Sequence, residues 1–437
     1  MRGSTQQEDR SRVNHVTRWS IVFLVVMQCV VLAGMLRRDG PFDHVGMDYL
    51  TTWVASDMLL HGEARHLYDT RAQWAAELPI IEQYNVHWDD RVMHPYLAPP
   101  LLAIFALPLG LLSPVVALTL WMLLAIGAVA LAVRWIASAF EIDWREIAPL
   151  VFGSMPLFVL VMLGQADGLL ALSFAAFVVL LRRGHEGRAG MALAVLALKP
   201  QLLLAPIVYL AITGRRRALI AAALTGLVEA VISVAIIGIG GVRDELAVSR
   251  RMAGPAGDAV INVPGMLNIR AAVFRLLPSD LTALQGPLVV GLTLLVLVIS
   301  ARIWRQSDAR EVSLFGIGLL AITTVLTALH AHYHTGVIAL LGVGLVAAAL
   351  RERGDGHTAR RLTSITWVSF SVVPFLMYVF VESSRAPAAL GTVIIIGVWV
   401  WLIRDLAPRR RGAQVGARVP AQSAQMSVGS SGDRQGG

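Results

Sequence analysis

The sequence predicts an all-α polytopic membrane protein, and its composition and hydropathy pattern are the two observations behind that prediction. Hydrophobic residues make up 56% of the 437-residue chain and charged residues only 15%, whereas soluble domains are about a quarter charged. The apolar residues are concentrated in long runs, and a run of roughly 20 such residues crosses the hydrocarbon core as a helix. On this basis we expect about 12 transmembrane helices.

The apolar runs define the expected spans in chain order. They lie near 19–36, 97–112, 114–138, 147–163, 165–182, 188–213, 217–240, 286–304, 312–329, 335–350, 362–381 and 388–404. The first run has no small-residue cleavage site, so Ser20–Met35 is predicted to be a retained span and not a cleaved signal peptide.

Arginine placement predicts the orientation. Arginines cluster in the N-terminal segment, near 182–188, 215–217, 302–310 and 351–361, and at 409–411, which the positive-inside rule assigns to the cytoplasm. The segment 37–96 carries ten acids against five arginines and is expected outside. We therefore expect a cytoplasmic segment 1–18 and a transmembrane domain 19–406 in the cell membrane, with outer loops at 37–113 and 241–285. A disordered cytoplasmic tail is expected at 407–437.

The net charge of +8 does not indicate a nucleic-acid partner, because the arginines lie in short loops between apolar runs. The bilayer is the expected partner instead. The single cysteine, Cys29, lies within the first apolar run, so the chain has no disulfide framework. Of the 37 basic residues, only Lys199 is a lysine.

If this orientation is correct, two apolar segments cannot cross the membrane as single full-length helices. Leu97–Leu112 must not cross the membrane, and Ala189–Thr213 must form two half-length helices that break at Pro200, which removes a backbone donor. Four polar segments then lie on the same, outer side: 41–96, 164–167, 198–201 and 330–334. We expect the functional site there.

Asp48 stands just outside the first span, at the start of a stretch with helical spacing that ends before Gly62. Two interpretations are open. Asp48 is a helix-capping carboxylate, contributing about 1 kcal/mol of stability, or it is a general base that deprotonates a hydroxyl acceptor.

Lys199 also has two interpretations. Its side chain could extend to the membrane interface, but arginine serves that purpose elsewhere in this chain. Because a lysine near the hydrocarbon region costs roughly 2.5–3.5 kcal/mol, we favour an ammonium that binds a phosphate at a broken helix tip. Gln201 would add a hydrogen bond.

Gln165 and Asp167 lie in "LGQADG" between two apolar runs. They form a polar turn between helices, or their amide and carboxylate hydrogen-bond sugar hydroxyls.

Three histidines alternate in "HAHYH" (His330, His332 and His334). On a helix the middle ring would point away from the other two, whereas an extended segment would place all three on one face. The chain has no HExxH pattern, so we expect no metal and no cofactor. The remaining interpretations are packing at the interface, or an imidazole acting beside Asp48 or near an anionic leaving group.

Three segments together resemble a known family. They are "MDYLTTWVASDMLLHGEARHLYD" (47–69), "HPYLAPPLLAIFALPLGLLSP" (94–114) and "GQADGLLALSFAAFVVLLRRGHEGRAGMALAVLALKPQ" (164–201). In this order they resemble glycosyltransferase family 87 (domain of unknown function 2029), typified by bacterial polyprenol-phosphate-mannose-dependent α-mannosyltransferases. The resemblance extends over roughly residues 20 to 350. "HAHYH" departs from it, because the family usually has two adjacent histidines, and Tyr96-Leu97-Ala98 differs where the family commonly has an aromatic residue.

The resemblance implies a GT-C-type glycosyltransferase fold with interfacial helices in the first outer loop. It also implies an outer-face active site that inverts the anomeric carbon, usually without a catalytic metal. Asp48 matches the family's essential acid, Lys199 its donor-phosphate side, and His332 or His334 its late histidine. The expected substrate contacts are Lys199, Gln201, Gln165, Asp167 and Tyr49.

The predicted function is transfer of a sugar, with mannose as first candidate, from a polyprenyl-phosphate donor to a glycolipid or glycan acceptor. The first alternative is an arabinofuranosyltransferase with a polyprenyl-phosphate donor. A transporter or flippase is a second alternative, although the chain shows one broken helix pair without a counterpart. A non-catalytic membrane scaffold is the third.

Overall fold

The structure, a computed structural model, describes residues 2–87, 94–253, 263–306, 312–381 and 385–406. These residues form helices joined by short turns. Within the described ranges, β-type pairing is limited to two isolated bridges, Pro41–Val45 and Met266–His332. The predicted all-α class is confirmed. The predicted tail at 407–437 lies outside the described residues.

We number the α-helices in chain order. The first nine are α1 Arg2–Asp39, α2 Met47–Leu60, α3 Thr70–Tyr84, α4 Pro100–Gly110, α5 Pro114–Ala139, α6 Ala148–Phe152, α7 Met155–Leu163, α8 Asp167–Arg182 and α9 Glu186–Ala194. The others described are α10 Leu204–Ile212, α11 Arg216–Ala253, α12 Ile269–Leu276, α13 Thr282–Gln306, α14 Leu314–Thr327, α15 Gly336–Glu352, α16 Gly356–Trp367, α17 Val373–Val381 and α18 Arg385–Leu406.

The described residues contain seven segments that are long and apolar enough to cross a membrane. They are Ile21–Asp39, Pro114–Ala139, Arg216–Met252, Thr282–Gln306, Tyr333–Glu352, Gly356–Phe380 and Arg385–Asp405. The chain is therefore a multi-pass membrane protein. The count of about 12 stays a prediction, because several apolar runs fold as shorter helices, including Pro100–Gly110 and Leu314–Thr327.

Helix α4 and the α9–α10 pair have the lengths that the orientation requires. The 11 residues of α4 span roughly 16 Å at 1.5 Å per residue, about half the hydrocarbon thickness. Two 3₁₀ turns, Val195–Leu198 and Pro200–Leu203, separate α9 from α10. The backbone of Lys199 between them is extended, with φ −135° and ψ 81°, so the helix breaks at this residue.

Two segments expected outside the spans are largely helical, and their positions relative to the membrane stay predictions. Helix α1 begins at Arg2, so the polar N-terminal segment and the first span share one helix. Much of the expected outer loop 241–285 is helical, because α11 continues to Ala253 and α12 and α13 follow. Gly238, with φ 70°, bends α11 where the apolar run ends.

The hairpin of α14 and α15 forms the centre of the molecule. Every residue of α14 is buried, and so are all residues from Tyr333 to Leu350. Glycines allow the two helices to approach closely: a Cβ on Gly342 would lie 2.7 Å from the Cβ of Ala321, and one on Gly318 would lie 3.0 Å from the Gly342 carbonyl. Such contacts between small residues are typical of packed membrane helices.

The helices bring the polar segments to one end of the molecule. Helix α8 starts at Asp167 on this end, and Thr335, at the start of α15, hydrogen-bonds the Asp167 carboxylate. We call this the site end. Arg182, at the other end of α8, donates a hydrogen bond to the Val312 carbonyl before α14 (3.1 Å). We call that end the arginine end, and it also holds Arg188 and Arg216.

Candidate active site

Asp48 lies in the first turn of α2 and does not cap the helix. Gly46 occupies the N-cap position with φ 82°, and no side chain caps this helix. The Gly46 N–H donates to the Met162 carbonyl of α7 (2.6 Å), and a Cβ at position 46 would lie 2.5 Å from Leu118. The start of α2 is therefore fixed against α5 and α7, which directs Asp48 towards the turn before α8.

Gln165 connects Asp48 to Lys199. Its Nε2 donates a hydrogen bond to Asp48 Oδ2, and its Oε1 accepts one from Lys199 Nζ (3.0 Å). The two contacts fix the orientation of the amide, because only its nitrogen can donate and only its oxygen can accept. Three segments that are far apart in sequence thus meet through one side chain.

Asp167 is fully buried, and both of its carboxylate oxygens have partners. Lys199 Nζ donates to Oδ2 (2.6 Å) and Thr335 Oγ1 donates to Oδ1 (2.7 Å). His334 Nδ1 lies 3.1 Å from Oδ2. A buried carboxylate is tolerated when a cation and hydrogen bonds compensate its lost hydration. In this arrangement Asp167 organises Lys199 and His334; its contact with a sugar hydroxyl stays a prediction.

Lys199 is oriented towards the protein interior. Its side chain is 23% exposed and contacts a carboxylate that is 0% exposed, so an extension of the ammonium to the interface does not fit. Gln165 and Asp167 take two of the three N–H bonds of the ammonium. Within the part of the chain that the structure describes, the third N–H of Lys199 has no hydrogen-bond partner.

The three histidines form a continuous row of rings. The His330 and His332 ring centroids are 5.0 Å apart in an edge-to-face arrangement, and those of His332 and His334 are 5.7 Å apart with nearly parallel rings. His334 is buried against Asp167. Burial, with the nearby Arg270 and Lys199, lowers the pKa of His330 to about 3, and burial lowers the pKa of His332 well below its usual value. Both rings are therefore neutral at pH 7. Among the described residues, no group of three or more His, Cys, Asp or Glu side chains has an arrangement that could hold a metal ion.

Gln201 and Tyr49 support the site from two sides. Gln201 Nε2 donates to the His330 carbonyl (3.2 Å) and so joins the Lys199 turn to the histidine segment. Tyr49 is fully buried, with its ring centroid 5.3 Å from that of Trp121. A Cβ on Gly164 would lie 2.5 Å from the Tyr49 Cβ, so Tyr49 packs directly on the turn that carries Gln165. Direct contact of either residue with substrate stays a prediction.

Arg270 is a site residue that sequence reasoning missed. Helix α12 begins beside the histidine segment: the Asn268 side chain donates to the Ala328 carbonyl, and the Leu267 N–H donates to the Ala331 carbonyl, both at 2.8 Å. Arg270, in the first turn of this helix, is close enough to His330 for its charge to lower the pKa of that ring. No motif marks Arg270, because its position depends on how α12 docks.

His94 was also missed, although "HPY" opens a segment quoted for the resemblance. Burial lowers the pKa of His94, and the nearby Asp48 carboxylate opposes that shift. The imidazole therefore lies within electrostatic range of the candidate base.

The charges of the site are separated. Asp48 lies at one side of the Gln165 amide, and the ammonium of Lys199 lies at the other. Asp167 lies against Lys199, and Arg270 adds a second positive charge beside His330. Acid on one side and cations on the other fit a reaction that takes up a proton and releases an anion.

Comparison of the chain with known protein families finds a match. Residues 96–328, more than half of the chain, match glycosyltransferase family 87. The matched part contains Gln165, Asp167, Lys199, Gln201 and Arg270, whereas Asp48 and the histidines lie outside it. No curated protein and no solved structure matches the chain. A multi-pass membrane protein with this match is a glycosyltransferase, and the chain belongs to glycosyltransferase family 87.

Proposed function

We propose that the protein transfers a sugar, with mannose as the first candidate, from a polyprenyl-phosphate donor to a hydroxyl of a glycolipid or glycan acceptor. The reaction inverts the anomeric carbon in a single displacement, and Asp48 is its general base. The observation that carries this proposal is the hydrogen-bonded chain Asp48–Gln165–Lys199, in which one amide separates the acid from the cation.

On the Asp48 side of the site, the acceptor hydroxyl loses its proton. Oδ2 of Asp48 is engaged by Gln165, which leaves Oδ1 to accept the proton of an acceptor hydroxyl. As that O–H bond breaks, the acceptor oxygen forms a bond to the anomeric carbon. A carboxylate can act in this way only within hydrogen-bond reach of the hydroxyl, and the fixed Gln165 amide holds Asp48 in one orientation.

The opposite side of the site stabilises the leaving group. The bond between the anomeric carbon and the phosphate oxygen breaks, and its electron pair leaves with the polyprenyl phosphate. The third N–H of Lys199 and the guanidinium of Arg270 stabilise the charge that develops there. Neutral His330 and His332 donate or accept hydrogen bonds at the phosphate without adding charge. His334 holds its position against Asp167.

We place the site on the outer face of the cell membrane. The arginine end of the helices lies opposite the site end, and the positive-inside rule assigns arginine-rich loops to the cytoplasm. In this arrangement the N-terminal segment is cytoplasmic, and the interfacial helices α2, α3 and α4 cover the site from outside.

A transfer assay tests the proposal. Membranes that carry the protein receive radiolabelled polyprenyl-phosphate mannose and a crude glycolipid acceptor, and parallel samples receive polyprenyl-phosphate arabinose. We expect a new glycosidic product from the mannose donor, and Asp48→Asn should reduce its yield at least about 100-fold at unchanged protein level. Product from arabinose alone would favour the arabinofuranosyltransferase. Movement of the intact donor across the membrane without product would favour a transporter.

A further inference from the structure

A polar pocket lies at the arginine end, far from the site just described. It is an open pocket of about 760 Å³ between the turn that joins α8 to α9 and the turn that joins α10 to α11. Its lining contains Arg188, Arg216 and Arg217, together with His185, Glu186 and three glycines. Helix α8, with 16 residues, separates the pocket from Asp167 by roughly 24 Å.

Close helix packing brings the three arginines around this pocket. Arg188 lies on α9, and the other two lie in the first turn of α11. A Cβ on Gly190 would lie 2.1 Å from the Ala218 carbonyl, so the two helices are in backbone contact directly beside the pocket. Only glycine at position 190 permits that approach.

The positive charge of the pocket is not compensated within the described part of the chain. Glu186, the single acid in the lining, already faces Arg215, whose Nη1 lies 3.4 Å from Glu186 Oε1. Among the described residues, the only salt bridge that involves a lining residue is this one, and Arg188, Arg216 and Arg217 are all exposed. Three neighbouring guanidinium groups repel each other, so an anion between them is favoured.

Apolar side chains continue from the rim of the pocket along the helices. Within two turns of Arg216, α11 exposes Ile220 and Leu224 at 58% each, and α9 exposes Met191 at 55%. The candidate span Arg216–Met252 is only 6% buried by the rest of the chain. A ligand with an anionic head and long apolar chains fits an arginine pocket that adjoins exposed apolar helix faces. A soluble anion would contact the arginines alone.

We propose that the pocket formed by Arg188, Arg216 and Arg217 binds the phosphate headgroup of an anionic phospholipid, whose acyl chains lie along α9 and α11. The site is separate from the glycosyltransfer site and does not depend on the proposed donor or acceptor. A bound lipid holds α9 and α11 at the leaflet of the arginine end. It thereby stabilises the position of α9, the helix that leads to Lys199.

Native mass spectrometry of the full-length protein in detergent tests this proposal. The protein is titrated with phosphatidylglycerol, with phosphatidylcholine and with inorganic phosphate. The pocket variant carries Arg188→Gln, Arg216→Gln and Arg217→Gln. The control variant carries Arg302→Gln, Arg305→Gln and Arg361→Gln, which remove the same charge from exposed positions at the arginine end. A third variant replaces the pocket arginines with lysine.

We expect wild type to bind phosphatidylglycerol in preference to phosphatidylcholine. Each basic residue near an anionic lipid surface contributes roughly fivefold in affinity, so the pocket variant should bind on the order of a hundredfold more weakly. The control variant should bind like wild type, and the lysine variant should retain most of the affinity. Equal lipid binding by the pocket variant, or an equal loss in the control variant, would overturn the proposal. Displacement of phosphatidylglycerol by inorganic phosphate at similar concentration would also overturn it, because the pocket would then take a free anion.

Discussion

Lys199 Nζ lies 2.6 Å from Asp167 Oδ2, and this carboxylate is completely buried. The pair joins the broken α9–α10 junction to the start of α8, and through Thr335 and His334 it also reaches α15. Because Gln165 connects the same ammonium to Asp48, a change at any of these residues should affect the others.

Removal of the Asp167 charge should destabilise the protein. Asp167→Asn leaves a partly buried ammonium without its carboxylate, and breaking such a pair costs about 3 kcal/mol. We expect a lower thermal unfolding temperature in detergent and weaker sugar transfer. The double variant with Lys199→Met should recover part of the stability but none of the transfer. Arg38→Gln, which breaks an ion pair whose arginine is 76% exposed, should change stability by less than about 1 kcal/mol. Equal effects of Asp167→Asn and Arg38→Gln would show that the buried pair is not a structural element.

Gln165→Met should separate the base from the cation without a large change in volume. Both hydrogen bonds of the amide are lost, and a misplaced catalytic group costs on the order of 100-fold in rate. We expect kcat to fall by that amount while the helix content measured by circular dichroism is unchanged. Gln28→Met is the control for the same substitution, because Gln28 is buried and its hydrogen bond in the described structure is a long one to the Met155 sulfur (4.0 Å). Unchanged kcat in Gln165→Met would exclude the amide as the positioning group.

Arg270→Gln should weaken the binding of the donor selectively. A hydrogen bond to a charged group contributes roughly 1.5–3 kcal/mol, which corresponds to about a 10- to 100-fold higher KM for the polyprenyl-phosphate sugar. The KM for the acceptor should not change. Arg250→Gln removes an exposed arginine of α11 and should leave both constants as they are. A rise in the acceptor KM instead would place Arg270 at the acceptor and would contradict its assignment to the donor phosphate.

Buried Glu77 should make the free energy of unfolding depend on pH, independently of catalysis. The Glu77 side chain is buried in α3, and its Oε2 has no hydrogen-bond partner in the described structure. Burial raises the pKa of Glu77 from 4.5 to about 8, so the folded state holds this proton more tightly than the unfolded state does. The stabilisation is complete below pH 4.5 and is lost as the pH rises towards 8, by roughly 1.4 kcal/mol per pH unit.

Unfolding temperatures measured at pH 5 and pH 8 test this sign. Glu77→Gln should remove the difference and be more stable than wild type at pH 8. Glu82→Gln, at an exposed position of the same helix, should behave like wild type. Stability of wild type that rises between pH 5 and pH 8, and is unaffected by Glu77→Gln, would contradict the burial argument.

The sequence predicted which polar side chains meet better than it predicted how they pack. Polar side chains are costly in an apolar chain, so Asp48, Gln165, Lys199 and His334 had a physical reason to converge. The orientation inferred from arginines placed their segments at one end, and the structure brings these side chains into one network. Asp167 is buried beneath Lys199, which the sequence did not indicate, and its contact with a sugar hydroxyl stays a prediction.

The features that the sequence did not indicate depend on contacts between segments that are far apart in the chain. Arg270 joins the site because Asn268 ties α12 to the histidine segment, and no local pattern records that contact. Thr335 was missed for the same reason, as its partner Asp167 lies 168 positions away. The number of spans was hard to predict because apolar runs of half the usual length, such as the one that forms α4, have the same composition as full spans.

Single-turnover sugar transfer by Asp48→Asn tests the central claim most directly. We predict a rate about 10²- to 10⁴-fold below wild type, with donor binding retained because the Lys199 side of the site is intact. Asp57→Asn, on the same helix and beside the exposed His61, should transfer at the wild-type rate. Transfer by Asp48→Asn within a few-fold of wild type would contradict the account, since the base would then be another residue.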